Sequence, residues 1–213
     1  MTSLVAAAAV LTTAGCTGAD SPAAPSPAVS GSAAPSLTYE EAVGRIPMDG
    51  TEQLKVHWDT SGVPDTDIVL AARRALAFDY WKSSVSDWTQ VVPAGRPLVT
   101  ETYYRTIMEQ FAGSTDSGAD HNGTVWLRTA GVDQIRPYQA KVVFCADIGH
   151  LRYSATESTA VRKKRAYLVE QDMQYVKTAD GTSRWLFRGG GETEAATSAT
   201  YGADCAKWAK HQP

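Results

Sequence analysis

The chain has 213 residues, 20 Lys and Arg against 23 Asp and Glu, and a formal net charge of -3. That length suits one domain with tails, and the near-neutral balance argues against a dedicated nucleic-acid binder, which needs a basic surplus to neutralise phosphates. With 43% hydrophobic residues and a mean hydropathy of -0.25, the chain reads as an ordinary globular protein and not a multi-span membrane protein.

The first 36 residues carry a single charge, Asp20. Leu4 to Leu11 is an unbroken apolar run, far short of the ~20 residues that span a bilayer but within the ~7–15 of an export signal. Thr12, Thr13, Ala14 and Gly15 follow, then Cys16. This stretch resembles the lipobox of bacterial lipoprotein precursors, in which small residues precede an invariant cysteine. The resemblance implies a signal peptide over 1–15, cleavage after Gly15, lipid on Cys16, and anchorage at the extracytoplasmic face of the cell membrane. Thr13 departs from the Leu usual in that family, and Met1-Thr2-Ser3 lacks the usual basic residue. A plain secretory signal with a chance cysteine is the other reading. Residues 17–36 are almost wholly Ala, Ser, Pro and Gly. Such a segment has little to bury against its ordering entropy, so 16–36 reads as a lipidated N-terminus with a disordered tether, reaching ~25 Å by coil statistics. A Pro-Ala-Ser tether behind such a cysteine resembles lipoproteins of high-GC Gram-positive bacteria.

With Cys16 taken by lipid, Cys145 and Cys205 remain. In an exported domain an even remainder favours a disulfide; two buried free thiols are the alternative. Neither cysteine has a second ligand at metal spacing such as CxxC or HxxxH, so no metal or cofactor is predicted.

Residues 37–213 read as a single domain. Thr38-Tyr39-Glu40-Glu41 fits a capping box opening a helix to about Arg45, with Pro47 ending it. Leu54 to Trp58 alternates loosely as an extended arm. The spacing of Ile68, Ala72, Ala75, Leu76 and Phe78 predicts a long helix over 66–89, and Thr100 opens a second over 100–112. After a polar loop the period switches to two, predicting strands at Thr124–Thr129, Gln139–Cys145, Arg165–Lys177 and Ser183–Arg188. The Ala179-Asp180-Gly181-Thr182 turn makes the last two a hairpin, and a strand as long as Arg165–Lys177 must bend across a curved sheet. Beyond Arg188 the run of Gly, Thr, Ala and Ser offers no element, only a tail for the cysteine bridge to hold against the domain at Trp208.

Helices followed by antiparallel strands make an α+β domain, with N-terminal helices packed on a curved antiparallel sheet. The order resembles the NTF2-like (SnoaL/ketosteroid-isomerase-like) cone fold, particularly small exported actinobacterial versions. The likeness rests on the helix at Ile68–Trp81, the strand Val142-Val143-Phe144-Cys145-Ala146-Asp147, the strand Arg184-Trp185-Leu186-Phe187 and the late Cys205. Catalytic members of that family place Asp, His or Tyr inside the cone. That makes Asp79, Tyr80, Asp147, His150 and Tyr153 the candidates here. Asp79 falls near the apolar stripe of its helix, where a carboxylate could gain a raised pKa and move a proton. Asp147 and His150 are expected in a solvated turn at a strand end. The basic run Arg162-Lys163-Lys164-Arg165 is expected as a solvated loop, though it could meet anionic lipid or wall polymer. No P-loop, dinucleotide, HExxH or GxSxG string is present. The expected function is therefore a non-enzymatic binding or scaffold domain for a protein partner or small apolar ligand. The alternative is a cone-fold isomerase, dehydratase or cyclase acting on a small hydrophobic substrate.

Overall fold

Two apolar registers on one strand set the architecture. In β3 (Gln139–Arg152), Val142, Phe144 and Ala146 join the large core, whereas Val143 and Cys145 join a second, smaller one. A strand buried on both faces reads as a continuous apolar run, which is what Val142–Ala146 is. The computed structural model describes residues 37–190 and 193–210; the expected signal peptide, Cys16 and the tether lie outside them.

The sheet has five strands in the order β1 (Leu54–Asp59), β2 (Asn122–Arg136), β3, β4 (Ala166–Lys177) and β5 (Ser183–Gly189). The domain is α+β, and the sheet is curled as expected. The last four strands are antiparallel neighbours. The expected arm is a full strand that pairs parallel with β2, Leu54 beside Gly123 and Asp59 beside Arg128, so the sheet is mixed rather than purely antiparallel. Register shifts between Thr124 and Trp126, Thr129 and Gly131, and Gln134 and Arg136 supply the bend that such long strands require.

One face of the sheet carries α1 (Tyr39–Arg45), α2 (Asp67–Ser84), α3 (Val91–Gly95) and α4 (Glu101–Tyr103). The capping box forms as expected: Glu41 N–H donates to Thr38 Oγ1 at 3.2 Å and Thr38 N–H to Glu41 Oε2 at 2.8 Å. The long helix stops at Ser84, five residues before the expected end at 89. There the Trp88 indole donates to the Lys82 and Val85 carbonyls at 3.1 and 2.9 Å, satisfying groups that another turn would have used. The expected helix 100–112 is helical from Glu101 to Phe111, but it passes through a π turn at Tyr104–Met108 and a 3-10 turn at Glu109–Phe111.

The C-terminal segment departs most from expectation. Instead of a tail it is a 15-residue helix, α5 (Ala195–Ala209), packed on the face opposite the other four. Its composition explains the miss. Six of its fifteen residues are Ala, the best helix former, but Thr197, Ser198, Thr200 and Gly202 interrupt the apolar pattern and a segment this short is marginal alone, so the helix depends on what it touches. Cys205 bonds Cys145, Cα to Cα 5.4 Å. Trp208 is buried, and its indole donates to Asp59 Oδ2 on β1 at 2.7 Å. Tyr201 donates to Asp133 Oδ1 at 2.7 Å and lies on Gly131, where an added Cβ would come within 2.4 Å of its hydroxyl. At the helix start, Lys141 Nζ lies 2.7 Å from Glu170 and 2.9 Å from Glu194, and Glu170 accepts from Glu194 N–H at 3.0 Å. Burial disfavours both charges, but the Lys141 hydrogen bond, helped by Thr197 and the Glu194 amide, holds the Glu170 carboxyl below its ordinary range.

Two outcomes follow from these fastenings. Cys205→Ser should cost ~2–5 kcal/mol; in thermal melts, reductant should lower the wild type and leave the variant unmoved. Lys141→Met should cost ~3–5 kcal/mol by stranding a buried carboxylate, and Lys141→Met/Glu170→Leu should recover more than half of it. Urea unfolding measures both variants. Equal instability of the single and double variants would mean that the pair is not desolvated.

Candidate functional site

The last two turns of α2 carry three of the site's groups, Asp79, Tyr80 and Lys82, on one half-buried shoulder of the core. Lys82 Nζ sits 2.6 Å from Asp79 Oδ1, one turn away, with the Tyr103 phenol beside it. His121 N–H donates to the Ser83 carbonyl at 2.9 Å, which pins the histidine beside the helix end. Its ring meets Tyr153 edge-on at 5.0 Å, and Arg162 stacks on Tyr153 at 4.6 Å. The segment after β3 is tied down by its own side chains. Tyr153 N–H donates to Glu157 at 2.8 Å and Ala155 N–H to Asp120 at 3.2 Å. Arg152 is buried and donates to the Gly149, Leu151, Thr159 and Ala160 carbonyls.

Burial and charge set the protonation states here. Burial works against the charge on Lys82, yet Asp79 and the Tyr103 phenol hold its pKa above the ordinary lysine value. Burial pushes the Tyr80 phenol up, reinforced by Asp79 and by the neighbouring Tyr153 and Tyr167. Burial also raises Tyr103, with Lys82 opposing. Burial pulls His121 below the usual imidazole range, against the pull of Asp120, Asp79 and Glu157. At neutral pH the shoulder therefore presents an ion pair, protonated phenols and a neutral imidazole. This set can hydrogen-bond a polar group, and His121 is its member that gains charge on mild acidification.

Of the expected candidates, Asp79, Tyr80 and Tyr153 come into this one neighbourhood. Asp79 stands at its edge, its side chain 43% exposed. Asp147 and His150 lie elsewhere. The expectation of a solvated turn fails for both, because β3 stays paired as far as Arg152. Asp147 is fully buried on the register of Cys145. It is gripped by the Arg165 guanidinium, with Nε 3.0 and 3.1 Å from its two oxygens, and accepts from Gly149 N–H at 2.8 Å. The basic run is accordingly not all solvated loop: Arg162 pairs with Glu157 and Arg165 with Asp147. His150 is half-buried against Trp126 at 5.8 Å, and Trp126 also stacks on His57 at 5.4 Å.

Lys82, Tyr103 and His121 escaped the sequence reading. Lys82 had a legible signal, since it stands three residues beyond Asp79 on the same helix. Tyr103 and His121 had none, because only the fold brings them to the end of α2. Among the described residues, no group of three or more His, Cys, Asp or Glu side chains converges as a metal site. No helix there is long and apolar enough to cross a membrane. Comparison with known protein families, with curated proteins and with solved structures finds no match.

The lowered His121 pKa gives stability a defined pH response. The unfolded chain binds the proton first, so this contribution is complete above ~6.5 and declines as pH falls from there towards the lower folded value. His121→Phe should flatten the fall in melting temperature across that window. An NMR titration of the His121 ring with a midpoint at or above ~6.5 would contradict the assignment.

Proposed function

We propose that the chain is an exported, lipid-anchored domain at the extracytoplasmic face of the cell membrane, and that it works by binding rather than by catalysis. Export is supported by the oxidised pair Cys145–Cys205, shut between β3 and α5 at 0% and 2% exposure, since such bonds persist in oxidising compartments. Anchorage is supported by the apolar run, the small residues and Cys16.

One observation carries the binding reading. Between the curled sheet and α1–α4, where a cone-fold enzyme would hold substrate, stand Phe78, Met108, Leu127, Phe144 and Met173, all 2% exposed or less. Side chains fill that space, and recognition then falls to the outer surface. A catalytic cone needs the same space open, with acid and base facing it.

Two experiments test the two halves. In a bacterial host, detergent phase partitioning should carry the wild type into the detergent phase and leave Cys16→Ser in the aqueous phase; equal retention of both would refute the anchor. For the interior, Phe144→Ala should cost ~3–5 kcal/mol and open a void that small apolar solutes fill. Benzene should therefore raise the melting temperature of the variant and leave the wild type unchanged. A rise in the wild type would show a standing chamber and favour the isomerase, dehydratase or cyclase reading.

A further inference from the structure

Between α5 and the first residues of β4 runs a groove of about 560 Å3, within the ~300–1,000 Å3 of small-molecule sites. Of its apolar lining, Ala206 is exposed, and Leu168, Cys205 and Ala209 form a floor that belongs to the second core. Gly202, Ala206 and Ala209 fall four and three residues apart, on one stripe of the helix. Their small side chains leave the trough open. Where β4 begins and α5 ends, the groove is lined by Lys163, Lys164, Arg165 and Lys210. Arg165 is engaged by Asp147. Lys163, Lys164 and Lys210 are exposed and make no ion pair among the described residues. No Asp or Glu is among the described residues that line the groove.

An apolar trough with cations at one end and no carboxylate among its described lining residues complements a molecule with an apolar chain and an anionic head. We infer that this groove binds a free long-chain carboxylate, its alkyl chain along Gly202 and Ala206 over the Leu168 floor and its head against Lys163, Lys164 and Lys210. The lysines lie on both walls, two before β4 and one after α5, so the head is held from two sides while the chain leaves water. The site stands on the face opposite the filled core and uses none of the α2 shoulder. It rests on the reading of this chain as a binding domain and gives that domain a ligand class.

The test uses the full chain carrying Cys16→Ser, exported and recovered without detergent, so that no lipid of its own competes. Calorimetric titration with octanoate, decanoate and dodecanoate, below their micelle concentrations, should show one site per chain. Affinity should rise about fourfold per added methylene until the trough is full. Dodecanol, with the same chain and no charge, should bind about tenfold more weakly. Lys163→Glu/Lys164→Glu should erase that preference. Ala206→Trp, at an exposed helix position, should abolish binding of both while the melting temperature confirms the fold. Equal affinity for carboxylate and alcohol, or unchanged binding to Ala206→Trp, would overturn the assignment. So would association with anionic vesicles and no saturable binding of free carboxylate, which would make the lysines a membrane-facing patch. Those failures leave the Cys16 partitioning and the Phe144→Ala result untouched, so the ligand and the broader reading fail separately.

Discussion

The fastening of α5 to the sheet is the constraint on which the rest of this structure depends. The helix reaches β1 through Trp208 and Asp59, β2 through Tyr201 and Asp133, β3 through the Cys145 bond and Lys141, and β4 through Glu170. Each contact is polar or covalent and therefore directional, and together they fix both ends of the helix. Its apolar contribution is small: Cys205, Trp208 and Ala209 against Val143, Cys145 and Leu168. Even with six Ala, a segment of fifteen residues is only marginally helical on its own. The order of α5 is thus a property of the whole domain, and so is any surface formed along it.

The two faces of the sheet divide the labour accordingly. Against α1–α4 the packing is apolar and dense, with aromatic pairs such as Trp58–Phe144 and Tyr103–Phe187. Against α5 there are buried charges, each met by a partner: Lys141 by Glu170, Asp147 by Arg165. Buried pairs of this kind add little net stability but fix geometry, because any slip leaves a charge unpaired. Here they hold β4 in register with β3 and set the start of α5.

What the sequence made legible was local. The Thr38 box, the 179–182 turn, the long amphipathic helix and the alternation in β4 all depend on residues within a few positions of one another, and each stands in the structure. The misses were long-range. Asp147 looked like a turn residue because nothing nearby signals a partner; Arg165 arrives from just before the next strand, 18 residues on. The parallel place of Leu54–Asp59 depends on β2. The candidate site shared this limit: Asp79 and Tyr80 could be singled out on their helix, whereas His121 joins them only through tertiary contact.

The parallel pairing of β1 with β2 has a kinetic consequence. β2 to β5 follow one another through short or moderate connections, so their contacts close small loops. Leu54 and Gly123 instead meet from about 70 positions apart, with α2, α3 and α4 strung between them; closing so long a loop costs entropy that only the finished core returns. One six-residue edge strand thereby carries much of the chain's contact order. Because Asp59 on that strand also receives Trp208, docking of the first strand and seating of the last helix become a single late event. Until it occurs, both an unpaired sheet edge and the cysteine-bearing segment stay open to intermolecular pairing and to wrong disulfide partners.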